Sequence, residues 1–131
     1  MEQRGALVIG REEARLEAEA RRIIEQARGE VGLHASVARE LALALDSLDR
    51  VRSLHQWQED MLVQDECKVG TELLRIETLY APHSRLATIQ RARLLALAAE
   101  RRALTAKFAA QLATYHQRLF DLVQRYRLLE P

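Results

Sequence analysis

The sequence predicts an all-α fold: a long antiparallel helical hairpin, in effect a coiled coil, with an additional shorter N-terminal helix that can pack on it as a three-helix bundle. Three observations predict it. Residues 1–83 carry 11 Lys and Arg against 16 Asp and Glu, whereas residues 84–131 carry 9 against 3, so an acidic arm is followed by a basic one. Charged residues make up 30% of the 131, while Gly and Pro together number only 7, a composition typical of long helices. Phe108, Leu112, Tyr115, Leu119, Leu122, Tyr126 and Leu129 recur at alternating gaps of four and three, a heptad seam. With 48% apolar residues the chain can bury a seam or a small core.

Residues 1–10 read as a tail and 11–35 as a first helix with a glycine-containing linker. Leu16, Ala20, Ile23 and Ala27 form one stripe, and Glu12 and Glu13 lie in the opening turn, where carboxylates favour the helix dipole. Gly29 and Gly32 are stop signals, and Ser36 is the expected cap of the next helix. One helix running through both glycines is the alternative, at a cost of about 1 kcal/mol per glycine.

The hairpin is expected over 36–131, turning at 81–84. Its first helix, to Leu79, carries Val37, Leu41, Leu45, Leu48, Val51, Leu54, Trp57 and Met61 at gaps of three and four, and Val69, Leu73, Ile76 and Tyr80 continue the pattern. The polar run Gln64 to Lys68, with Gly70 close behind, is its expected weak point. Pro82 ends that helix and pushes Ala81 out of the α region, and Ser84 can cap the next. In the last helix Leu86, Ile89, Leu97 and Leu104 extend the seam upstream, with a phase slip where Leu104, Phe108 and Leu112 follow at gaps of four.

A turn at 82–83 pairs residues whose numbers total about 165. Leu79 then meets Leu86, Ile76 meets Ile89, Leu73 meets Ala92, Val69 meets Ala96, and Trp57 meets Phe108. Further along, Leu41 and Leu45 lie opposite Leu122 and Leu119. Charges agree with this register, since Glu72 falls opposite Arg93, and Asp65 and Glu66 lie near Arg101 and Arg102.

Motifs for catalysis or cofactor binding are lacking. There is no GxxxxGK[ST], GxGxxG or GxSxG, and His34, His55, His83 and His116 show no metal-ligand spacing. His83 reads as a turn residue, His34 as a linker residue, and His55 and His116 as flanking positions of the hairpin. No enzyme activity, cofactor, metal or small-molecule substrate is therefore expected. The single Cys67 has no partner in the chain and no stretch reaches the ~18 apolar residues that would span a bilayer, so a cytoplasmic, reducing location without membrane insertion is expected. Arg85, Arg91, Arg93, Arg101, Arg102, Lys107, Arg118, Arg125 and Arg127 could form a nucleic-acid-binding face, but the near-neutral total and the acidic arm favour charge pairing instead.

The stretch Glu17-Ala18-Glu19-Ala20-Arg21-Arg22-Ile23-Ile24-Glu25-Gln26-Ala27-Arg28 resembles the Ala/Glu/Arg helices of rotary-ATPase peripheral stalks, over 12 of the 131 residues. The hairpin plan is similar to small coiled-coil stalk proteins of flagellar and type III export machines, which implies an export chaperone or stalk as one alternative. The leading expectation is a non-enzymatic coiled-coil subunit or adaptor. It would contact other helical subunits, or itself, through Leu41, Leu45, Leu48, Trp57, Phe108, Leu112, Tyr115, Leu119, Leu122 and Tyr126.

Overall fold

The computed structural model describes residues 10–79 and 82–130 and consists of three helices, α1 (Arg11–Gln26), α2 (Leu33–Leu79) and α3 (Arg85–Leu129), with no strand among the described residues. Residues 1–9 of the expected tail, and Tyr80 and Ala81 at the expected turn, lie outside that range. α1 opens after Gly10 with Glu12 and Glu13 in its first turn and gives way to a turn at Ala27. Gly29 and Gly32 adopt φ values of 86° and 85°, a region that disfavours any residue with a Cβ. These two left-handed residues complete the reversal, so α2 begins at Leu33. Ser36 is not its cap: the Ser36 amide already donates to the Gly32 carbonyl at 3.0 Å.

α2 is helical without interruption through Gln64–Gly70, the expected weak point. Buried Val69 and the Arg101–Glu66 pair hold that stretch, and they outweigh the cost of one helical glycine, about 1 kcal/mol. Ser84 caps α3 as expected, its Oγ accepting from the Ala87 amide at 3.2 Å.

The chain divides into two compact units, Met1–Ser53 with Phe108–Pro131, and Leu54–Lys107. In the first, α1 packs with the opening of α2 and the end of α3 as a three-helix bundle. Its core joins Ala20, Ile23 and Ala27 to Val37, Leu41, Leu45 and Leu48, and to Phe108, Leu112, Leu119, Leu122, Val123 and Tyr126. Leu16, Ile24, Val51, Tyr115 and Leu129 pack against this cluster. Glu40 and Arg125, at the expected register, lie 3.5 Å apart. His34 is no linker residue, since it sits within α2 with its ring edge-on to Tyr126 at 5.2 Å.

The second unit is a two-helix hairpin. Along α2 His55, Val69 and Ile76 are buried and Leu62, Glu66 and Leu73 are among the half-buried positions; along α3 Ala87 is buried, and Arg91, Leu94, Leu97, Ala98, Arg101, Leu104 and Thr105 are among the half-buried ones. Arg101 bonds Glu66 and Arg91 bonds Glu77, each at 2.7 Å, two and three residues beyond the simple register, within reach of long side chains. Several expectations are corrected here. Glu72 bonds Arg75 on its own helix at 2.9 Å rather than Arg93. Ala92 and Ala96 point outward, and Leu86 and Ile89 are about half exposed. Leu54 and Trp57 are 56% and 60% exposed, off the seam on which the sequence pattern placed them.

The cause is a choice of phase. Continuing strictly from Leu41, Leu45 and Leu48 at heptad spacing leads to Arg52 and His55; Val51 stays half-buried against the bundle core as the pattern placed it, but beyond it His55 is buried while the more apolar Leu54 and Trp57 are exposed. On α3 the same spacing from Ala87 to Leu129 is buried or half-buried throughout; the expected Leu97 and Leu104 are half-buried beside Ala98 and Thr105, whereas Leu86 and Ile89 are exposed.

Two outcomes follow in unfolding experiments. Leu48→Ala and Leu119→Ala each remove a fully buried side chain and should cost about 2–5 kcal/mol in urea denaturation, whereas Trp57→Ala should change stability by no more than about 0.5 kcal/mol. Burial holds the His55 imidazole below its ordinary pKa of 6.5, with the Glu59 carboxylate opposing part of that effect. The folded chain thus binds fewer protons at this site than the unfolded one, so the contribution is complete above pH 6.5 and declines as pH falls through the folded value. His55→Leu should flatten the fall in urea midpoint between about pH 7.5 and 5.5; an unchanged slope would contradict this.

Candidate functional site

The bundle buries one carboxylate. Glu17 stands three residues before Ala20 on the inward face of α1 and is only 3% exposed. A carboxylate so placed must find hydrogen-bond donors or a countercharge, because uncompensated burial of a charge costs several kcal/mol. Two other helices supply them. From α2, Arg52 donates through Nη1 to Oε1 at 2.8 Å and through Nη2 to Oε2 at 2.5 Å, a two-pronged contact. From α3, His116 Nε2 lies 2.7 Å from Oε2. Arg21, one turn along α1, adds a looser contact at 3.7 Å, and Asp49 approaches Arg52 at 3.9 Å.

The electrostatics follow from this geometry. Burial disfavours the charged form of Glu17, but the hydrogen bonds and positive charges of Arg52 and His116 more than offset it and hold the carboxyl below the usual 4.5. The bond to Glu17 raises the Arg52 pKa in turn, against the opposing effect of its own burial. Burial also pushes the Tyr126 hydroxyl above 10.0, helped by the Glu30 and Glu130 charges.

Beside this cluster a groove of about 700 Å³ runs between α1 and α3, lined by Leu16, Leu112, Phe120 and Val123, with His116 in its wall. Glu12, Glu13, Arg15 and Arg127 surround it, and Arg127 is itself paired with Glu19. The cluster is a saturated hydrogen-bonded triad: both Glu17 oxygens are occupied by partners from neighbouring helices. Among the described residues no group of three His, Cys, Asp or Glu side chains is arranged to hold a metal ion.

Nine of the ten residues expected to meet a partner lie in the bundle. Leu41, Leu45, Leu48, Phe108, Leu112, Leu119, Leu122 and Tyr126 belong to its core, and Tyr115 packs against it. Only Trp57 is exposed among the ten. The sequence pattern places His116 as a flanking residue of the hairpin and marks neither Glu17 nor Arg52. The legible signal was a carboxylate beside the Leu16–Ala20–Ile23 stripe and an arginine four residues after Leu48. Of the nine basic residues in the last helix, Arg91, Arg101, Arg125 and Arg127 are engaged with carboxylates of the acidic arm. No protein-family model, curated protein or solved structure matches this chain.

Glu17→Ala, which strands Arg52 and His116 without their acceptor, should destabilise the bundle by about 3 kcal/mol, measured by urea denaturation. Because the folded carboxyl pKa is lowered, the wild-type contribution is complete above pH 4.5 and lost as pH falls through the folded value. Glu17→Gln should remove that acid-side loss, and an identical acid limb in the variant would refute the assignment.

Proposed function

We propose that the chain is a non-enzymatic coiled-coil subunit or adaptor, working in the cytoplasm, that joins a larger protein complex by helix–helix packing. In this reading the three-helix bundle is a self-sufficient anchor and the two-helix unit is the docking arm. One observation carries it. Leu54, Trp57 and Met61, at helical spacing of three and four, are 56%, 60% and 43% exposed on a unit that has no third helix among the described residues. Apolar side chains grouped this way mark interaction surfaces, and tryptophan is the residue most enriched at binding hot spots.

The chemistry of the triad supports a binding rather than a catalytic role. Glu17 is bound on both oxygens, so it is poorly placed to accept a proton from a substrate, and its lowered pKa is the opposite of what a general acid near neutrality needs. The basic residues engaged with the acidic arm weigh against a nucleic-acid-binding face. No helix among the described residues is long and apolar enough to cross a membrane.

A photo-reactive side chain placed at Met61 of the full chain, expressed in cells, should cross-link to a helical protein. Trp57→Glu should abolish that product, since loss of a hot-spot aromatic weakens binding by about thirtyfold or more. A chain that yields no cross-link from this position overturns the reading.

A further inference from the structure

α3 carries a second heptad on the other side of its hairpin seam. Within the two-helix unit, Ile89, Ala92, Ala96, Ala99, Ala103 and Ala106 recur at gaps of three, four, three, four and three, and all six are exposed. Neighbouring Leu95 is 73% exposed and Ile89 is 55% exposed, so the face is apolar as well as narrow. Small side chains at these positions let a second helix approach to about 8 Å, the close end of helix packing distances.

The charges beside the row select the occupant. Arg93 and Glu100 each follow an alanine of the row by one residue, so they lie seven residues apart on the same edge with opposite sign. Both are exposed, and neither makes an ion pair among the described residues. Arg102 and Leu95 lie on the other edge, and Lys107 continues the first.

We propose that this face docks antiparallel on the same face of a second copy of the chain, with the two-fold axis midway between Ala96 and Ala99. The proposal deepens the adaptor reading and rests on it. Ala96 then faces Ala99 of the second copy, Ala92 faces Ala103, and Ile89 faces Ala106. In that register Arg93 meets Glu100 of the second copy and Glu100 meets its Arg93, giving two ion pairs on one edge. On the other edge the methylenes of Arg102 cover Leu95 of the second copy, sheltering a side chain now open to water. Sliding the pair by one heptad sets Glu100 against itself and Arg93 against Lys107. A parallel pair sets Arg102 against Lys107. Both alternatives oppose like charges, and the symmetric antiparallel arrangement does not.

Sedimentation equilibrium of the full chain over a concentration series tests this directly. The wild type should show a reversible dimer. Arg93→Glu and Glu100→Arg should each raise the dimer dissociation constant by about tenfold, because a single reversal turns two attractions into two repulsions. The double variant should restore it to near the wild-type value. Far-UV circular dichroism verifies that each variant keeps its helices, and the exposure of both positions makes that the expected result. A monomer at every concentration, single reversals without effect, or a double variant no better than the singles would each overturn the proposal. A monomeric chain that still cross-links from position 61 defeats the self-docking alone, whereas a charge-sensitive dimer with no cross-link defeats the adaptor reading alone.

Discussion

The bundle depends on meeting the charge of Glu17. The buried apolar side chains of α1 and its C-terminal turn are Ala20, Ile23 and Ala27, with Leu16 and Ile24 packed at the edge, a set that tolerates sliding and rotation of the helix. A buried carboxylate tolerates neither. It must sit within hydrogen-bond reach of Arg52 and His116 together, and the two parallel bonds from Arg52 fix the plane of the group as well as its distance. One residue on each of three helices therefore sets how α1 lies on the other two, and the alanines permit the approach that the ions require.

Satisfying that charge also accounts for the phase of α2. Once Arg52 is committed inward, helical geometry brings His55 to the same face three residues later and leaves Leu54 and Trp57 to either side of it. The two-helix unit is then left with a mixed seam in which Val69 and Ile76 are well buried while Glu66 and Arg101 fill neighbouring positions. Each fully buried large aliphatic side chain contributes about 1.5–3 kcal/mol, so a seam with few of them has a small hydrophobic driving force of its own. Segments of this kind open more readily than a packed core, and they gain most when a further helix covers them.

The two units thus divide the labour of the sequence. The first has enough inward-facing Leu, Ile, Val, Phe and Tyr to close its own core. The second keeps apolar side chains on its outside, on two different rows: Leu54, Trp57 and Met61 on α2, and Ile89 with the alanines on α3. Rows of such different size suit different neighbours. A bulky aromatic row needs a partner with a recess, whereas an alanine row needs only another smooth helix brought close.

By itself the sequence determined the helical class, the break at the two glycines, the turn at Pro82 with its Ser84 cap, and the heptad from Phe108 to Leu129, because each is local. Glycine backbone freedom, the missing amide of proline, a capping hydroxyl and a strong run of large apolar residues act within a few residues of where they stand. The inward phase of α2 beyond Leu48 was decided only in three dimensions. Counting apolar residues favoured Leu54 and Trp57, and nothing local announced that Arg52 would be held inward by a carboxylate 35 residues earlier in the chain. The same holds for His116, which is 99 residues from its partner. Charge burial is a pairwise property: a sequence shows which residues can carry it, and only the packing of one helix against another shows where the opposite charge arrives.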